Sequence, residues 1–234
     1  MQSFKDYSAK NFKPRTDTSH YPPVQEAPAP QRVTLSQLQN IHPKVTEAKQ
    51  AAQQWAANKQ AGHLDSSLIL FGPNGIGKTH IALSILWSMC YQVDGQTVAP
   101  IGKFFLSDDL LARLDADDDP TNLSSNLARL IPNNSMIDPT IQPCPIIVID
   151  DIGAERDIQY SKDQEKARHV RFFRVIDYCY KKQISVIITS NLSLDGLKAH
   201  LGPRSWDRLL QMAPRGQMVD MSGVTSWRKR SGGR

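Results

Sequence analysis

The sequence predicts an α/β fold of three layers, a central parallel sheet between helices, and three observations carry that prediction. The eight residues Gly72-Pro73-Asn74-Gly75-Ile76-Gly77-Lys78-Thr79 fit the phosphate-loop pattern G-x-x-x-x-G-K-[ST]. The aliphatic run Ile146-Ile147-Val148-Ile149 ends in the carboxylate pair Asp150-Asp151. A third run, Ser185 to Thr189, leads into Ser190-Asn191. Short apolar runs ending in polar residues suit buried strands whose carboxyl ends line one edge of an open sheet, the edge where such sheets bind ligands.

Taken in chain order, the first element is a tail. Pro22, Pro23, Pro28 and Pro30 interrupt residues 1–40, which are rich in Gln, Ser and Thr, and a disordered tail is expected there. Phe4, Tyr7, Phe12 and Tyr21 alternate with Lys5, Lys10, Lys13 and Arg15, a pattern suited to folding onto a protein groove or single-stranded nucleic acid. From Pro43 to Lys59 the spacing of Val45, Ala48, Ala52 and Trp55 predicts a helix, with Trp55 in the core. Ser67 to Phe71 reads as the strand before the loop, and Ile81, Leu83, Ile85 and Leu86 read as a helix packed on the sheet after it. Lys103 to Leu106 is the next strand, followed by helices over Ser107–Ala116 and Thr121–Ile131. The acidic residues joining them, Asp115, Asp117, Asp118 and Asp119, do not have the spacing of an EF-hand loop and read as a solvated turn.

The chemistry gathers on the loop and the two later strand ends. Glycines bring the backbone of residues 72–77 close to phosphates, whose oxygens are met by N–H groups and by the positive end of the following helix. Lys78 would reach the β- and γ-phosphates of a nucleoside triphosphate and Thr79 would hold Mg²⁺, with His80 immediately after them. Two adjacent carboxylates at the end of a buried strand are costly unless a cation or hydrogen bonds compensate. Asp150 is therefore the candidate to support the metal, and Asp151, across the pleat, the candidate general base. Asn191 could orient the attacking water or contact the γ-phosphate.

Composition bounds the rest. At 234 residues and 40% hydrophobic content the chain can bury one sizeable core. No apolar run approaches the ~20 residues of a membrane span, and the first residues lack a signal-peptide core, so a cytoplasmic protein without membrane contact is expected. Cys90, Cys144 and Cys179 are widely spaced and read as reduced thiols, and the histidines form no paired zinc motif. Residues 198–234 carry eight Lys or Arg against two Asp, an excess larger than the +5 of the whole chain. A basic end of this kind favours a polyanion, with Arg228-Lys229-Arg230 the expected nonspecific DNA contact.

Gly72 to Ala82 (GPNGIGKTHIA), Ile146 to Glu155 (IIVIDDIGAE) and Ile187 to Leu192 (IITSNL), in that order, resemble the AAA+ ATPases of the DnaC/IstB group, which contains replicative-helicase loaders and the ATPase helpers of certain transposases. The resemblance implies an ATPase domain over residues 41–228, little or no C-terminal lid, and a basic tail over 229–234. It implies Mg²⁺ and ATP as cofactor and substrate, Asp151 in place of the usual Glu, and Asn191 as sensor 1. Leu201 to Leu210 (LGPRSWDRLL) is similar to the family's box with a trans-acting arginine, which makes Arg208 the finger candidate and Arg204 the runner-up. Ser226-Trp227-Arg228 is similar to its terminal element, with Arg228 as a sensor 2. Cys179-Tyr180 stands where the family often has Arg-Tyr. By resemblance the partners are a hexameric replicative helicase gripped by the N-terminal tail, single-stranded DNA contacted through Lys103, Arg113 and Arg129, and further copies of the chain in a ring or spiral. A transposase helper on duplex DNA and a noncatalytic ATP switch are the alternatives.

Overall fold

The fold follows from strands whose two faces are both apolar. In β1 (Leu68–Phe71), Leu68 and Leu70 point into one core, and Ile69 and Phe71 into another. In β5 (Ile146–Ile152), Ile146 and Val148 divide from Ile147 and Ile149 in the same way. Successive side chains of a strand alternate faces, so a continuous aliphatic run demands cover on both sides of the sheet.

The computed structural model describes residues 42–60, 67–88, 91–93, 96–98, 102–115, 127, 146–154, 161–213 and 217–226. The expected tail over 1–40, the basic end over 229–234, Cys90, Cys144, Arg129, Arg228 and most of the expected helix over Thr121–Ile131 lie outside them; of that helix Leu127 is described, and it is buried. The five-stranded sheet is completed by β4 (Gly102–Leu106), β6 (Ser185–Ser190) and β7 (Met218–Asp220). Its order is β4-β5-β6-β1-β7, and every pairing is parallel. A separate antiparallel pair joins β2 (Tyr91–Val93) to β3 (Gln96–Val98).

Helices α1 (Pro43–Gln60) and α2 (Lys78–Ser88) cover one face, where Val45, Ala48, Ala52 and Trp55 meet Ile81, Ile85 and the Leu68 side of β1. Trp55 is 1% exposed, as its spacing predicted. Truncating a buried side chain of this size to Ala costs about 3–5 kcal/mol. The other face is covered by α3 (Ser107–Asp115), α4 (Lys162–Lys181), α5 (Leu194–Leu201) and α6 (Pro203–Met212). Helix α4 begins with a capping box in which the Ser161 hydroxyl accepts from the Gln164 amide and the Gln164 side chain accepts from the Ser161 amide. Gly202, at φ 80, ends α5 and starts α6, with Pro203 at the first helical position, where a missing N–H is harmless.

Among the described residues, the sequence-based bounds hold to a residue or two except in β5. That strand runs on through Asp150 and Asp151 to Ile152, with a register shift against β6 between Ile149 and Ile152. The β2–β3 pair and β7 have no counterpart in the sequence reading. Because β1 lies between β6 and β7 while the chain leaves it for β4 at the far edge, the carboxyl end of β1 opens on a point where the strand order reverses, the usual ligand crevice of such sheets.

Candidate functional site

Parallel pairing brings the polar strand ends together. Phe71 is level with Ser190 on one side and Asp220 on the other, and Ile152 is level with Ser190. The phosphate-loop residues, the two carboxylates and Asn191 therefore share one edge of the sheet.

The loop's glycines occupy backbone that other residues resist. Gly72, Gly75 and Gly77 have φ of 143°, 74° and 101°. A Cβ on Gly72 would lie 2.9 Å from the Met221 carbonyl carbon and 3.0 Å from the Ser222 nitrogen, so that glycine lets the loop pass against the chain after β7. A Cβ on Gly77 would meet nothing within 4 Å, so it is the positive φ rather than crowding that favours glycine there. Ile76, fully buried, anchors the loop into the α1–α2 core. Helix α2 begins at Lys78, which puts its unpaired N–H groups and positive dipole end at the loop.

Lys78 is 6% exposed, and its Nζ donates to the carbonyls of Gly72 and Pro73, each at 2.8 Å. Burial lowers its pKa, against the attraction of Asp151 and Asp150. Asp150 is 3% exposed. Its carboxylate accepts from the Thr79 hydroxyl at 3.0 and 3.1 Å and from the Thr189 hydroxyl at 2.5 Å. Burial raises its pKa, while those two hydroxyl donors pull it down. A buried carboxylate beside a hydroxyl at a helix N-terminus is a set of hard oxygen donors that suits Mg²⁺ better than a soft metal, and a cation there would offset the cost of burying the charge.

Asp151 is half-buried and stands at φ 59, the left-handed region that non-glycine residues seldom occupy. Its amide donates to the Thr189 hydroxyl at 2.9 Å. Asn191 follows Ser190, whose carbonyl accepts from the Gly72 amide at 3.1 Å and whose hydroxyl donates to the Ile152 carbonyl at 2.7 Å. These contacts tie the three strand ends into one unit. His80 is exposed on the first turn of α2, just beyond the loop.

The expected finger residue is held elsewhere in this chain. Arg208 Nε lies 3.3 Å from Asp177 Oδ1, its Nη1 donates to Gln211 at 3.0 Å, and its guanidinium stacks 4.5 Å over the Tyr180 ring. Asp177 and Tyr180 belong to the last turns of α4, which lead into the start of β6, so Arg208 sits toward the opposite edge of the sheet. Arg204 is exposed and lies 5.9 Å over Phe173. The expected Cys179-Tyr180 pair divides cleanly, with Cys179 in the core and Tyr180 exposed against Arg208.

Sequence reasoning missed Thr189 and Gly153. The signal for Thr189 was a hydroxyl at the end of the otherwise aliphatic Val186-Ile187-Ile188 run. Gly153, at φ 87, is packed so tightly that a Cβ would lie 2.5 Å from Leu192, which links the IIVIDDIGAE and IITSNL segments physically.

Residues 44–230 match the family described as IstB-like ATP binding protein. No curated protein sequence matches the chain. The fold is similar to that of the DnaC helicase loader, with 22% identity, a TM-score of 0.55, and 80% of this chain aligned to 95% of that one. It is similar to DnaI, with 20% identity, a TM-score of 0.57, and coverage of 81% and 90%. It also resembles AMPPCP-bound DnaA from Aquifex aeolicus, at 13% identity, a TM-score of 0.54, and coverage of 85% and 52%.

Proposed function

This chain belongs to the IstB-like ATP-binding protein family, and from that premise we propose that it is an oligomeric AAA+ ATPase that loads a replicative helicase onto single-stranded DNA. The observation that carries the ATPase reading is the meeting of Lys78, Thr79 and Asp150 at the head of α2. Lys78 exchanges the Gly72 and Pro73 carbonyls for β- and γ-phosphate oxygens. Thr79 and Asp150 would hold magnesium, which would supply charge neutralisation for the phosphoryl group. Asp151 takes a proton from the attacking water, Asn191 orients that water, and Arg208 acts on the site of a neighbouring copy. Arg228 keeps its assignment as a sensor on the strength of the sequence alone.

The loader reading draws on the DnaC helicase loader among the similar folds and on the aromatic and basic pattern of residues 1–40. The family description supports a second reading, an ATPase helper of a transposase that coats duplex DNA. Capture of the full-length protein from host extract with ATP, with Lys78→Ala as control, separates them by mass spectrometry. A hexameric helicase retained by the unaltered protein and lost from the control supports the loader. A transposase in its place, with tighter binding to duplex than to single strands at matched salt, sinks it in favour of the helper.

A further inference from the structure

We propose that Thr189 is a positioning residue for ATP hydrolysis, its one hydroxyl holding Asp150 and Asp151 in their separate places. The inference rests on the ATPase reading and deepens it. Ile149 is level with Ile188 and Ile152 with Ser190, so β5 has two residues, Asp150 and Asp151, where β6 has one, Thr189. A bulge of this kind re-aims a side chain and leaves ladder groups to find other partners. The Thr189 side chain supplies them, being 1% exposed and in contact with both bulged residues.

The geometry uses the hydroxyl's full chemistry. A hydroxyl has one proton to give and lone pairs to accept with. Thr189 gives the proton to Asp150 Oδ1 and accepts the amide of Asp151, the residue at φ 59. The Asp150 carboxylate and the Asp151 backbone are therefore tied to the same side chain, and loss of that hydroxyl frees both. Thr79 also donates to Asp150, but its hydroxyl is the atom expected on magnesium. Thr189 would then be the hydroxyl donor left to Asp150 with Thr79 engaged on the metal. Because β6 ends at Ser190, directly after Thr189, and Asn191 follows it, one strand end carries both the hydroxyl that meets the acid pair and the expected sensor residue.

The test uses full-length Thr189→Val, which keeps the shape and removes the hydroxyl, and Thr189→Ser, which keeps the hydroxyl. Turnover, KM for ATP and the magnesium concentration for half-maximal rate are measured, with circular dichroism as a folding control. The Val variant should hold KM within about threefold while losing ~10–100-fold in turnover or magnesium affinity, the usual effect of removing a group that orients a metal ligand. The Ser variant should recover most of that loss. Should Thr189→Val fail to fold, Thr189→Ala is read by the same criteria. A Val or Ala variant with unaltered turnover and magnesium requirement overturns the inference, as does a Ser variant as impaired as Val. If the unaltered protein shows no magnesium-dependent turnover, like Lys78→Ala, the ATPase reading falls and this inference with it; normal turnover in both it and Thr189→Val overturns this inference alone.

Discussion

Gly153→Ala tests the packing that holds the ends of β5 and β6 together, and its cost can be worked out in two parts. At φ 87 an alanine enters the left-handed region, a conformational penalty of about 1–2 kcal/mol. Its Cβ would also lie 2.5 Å from Leu192 Cγ and Cδ1, well inside van der Waals contact. Forcing apart a packed core adds about 1–3 kcal/mol. Gly223→Ala isolates the first part, since Gly223 has φ 85 and a Cβ there meets nothing within 4 Å. Urea unfolding of both variants should show Gly153→Ala less stable than Gly223→Ala by about 1–3 kcal/mol, an extra fall in melting temperature of ~2–4 °C per kcal/mol. Because Leu192 follows Asn191, Gly153→Ala should also slow ATP turnover, whereas Gly223→Ala should not. Equal destabilisation by the two substitutions would refute the claim that the glycine after the acid pair is there for Leu192.

Burial raises the Asp150 carboxyl above its usual 3.8, so the folded chain holds that proton more tightly than the unfolded chain, and nucleotide-free stability should fall as pH rises from about 4 through the folded-state value. Asp150→Asn should flatten that fall and raise the nucleotide-free melting temperature at neutral pH, while abolishing magnesium-dependent turnover; a lower melting temperature would contradict it. Burial lowers Lys78, so its charge costs stability at neutral pH and the cost is relieved as pH climbs from the folded-state value toward 10.5. Lys78→Met should therefore melt higher than the unaltered chain at pH 7 and weaken ATP binding at least about tenfold, measured by titration calorimetry. Arg208→Ala should cost only about 1 kcal/mol in thermal unfolding, as its contacts with Asp177 and Tyr180 are partly exposed. Its turnover should fall with ATP affinity unchanged, and equal turnover would remove it from the finger role.

The phosphate loop and the acid-tipped strand were legible because each is a contiguous pattern whose chemistry is local. Lys78, Thr79 and Asp150 meet as their residue types require. What escaped depends on which strand lies beside which. The bulge at Asp150-Asp151 exists only relative to Thr189, 38 residues onward, and by itself Thr189 reads as one more β-branched strand residue. Strand β7 is three residues long and is defined by its pairing with β1 rather than by any period of its own. The partners of Arg208 were equally hidden, because Asp177 and Tyr180 are a helix and a strand away in sequence and reach it only when α6 packs on α4.

Magnesium-dependent ATP hydrolysis by one defined loop and acid pair is read out by a phosphate-release assay. Phosphate release from ATP is followed with Mg²⁺ and with EDTA, with single-stranded DNA present in both, for the unaltered full-length protein and for Thr79→Ala. Release that requires Mg²⁺ in the unaltered protein and is lost in Thr79→Ala is the predicted result. Tight ATP binding with no phosphate release in either protein would rule out hydrolysis at this loop and leave the chain a nucleotide-controlled switch.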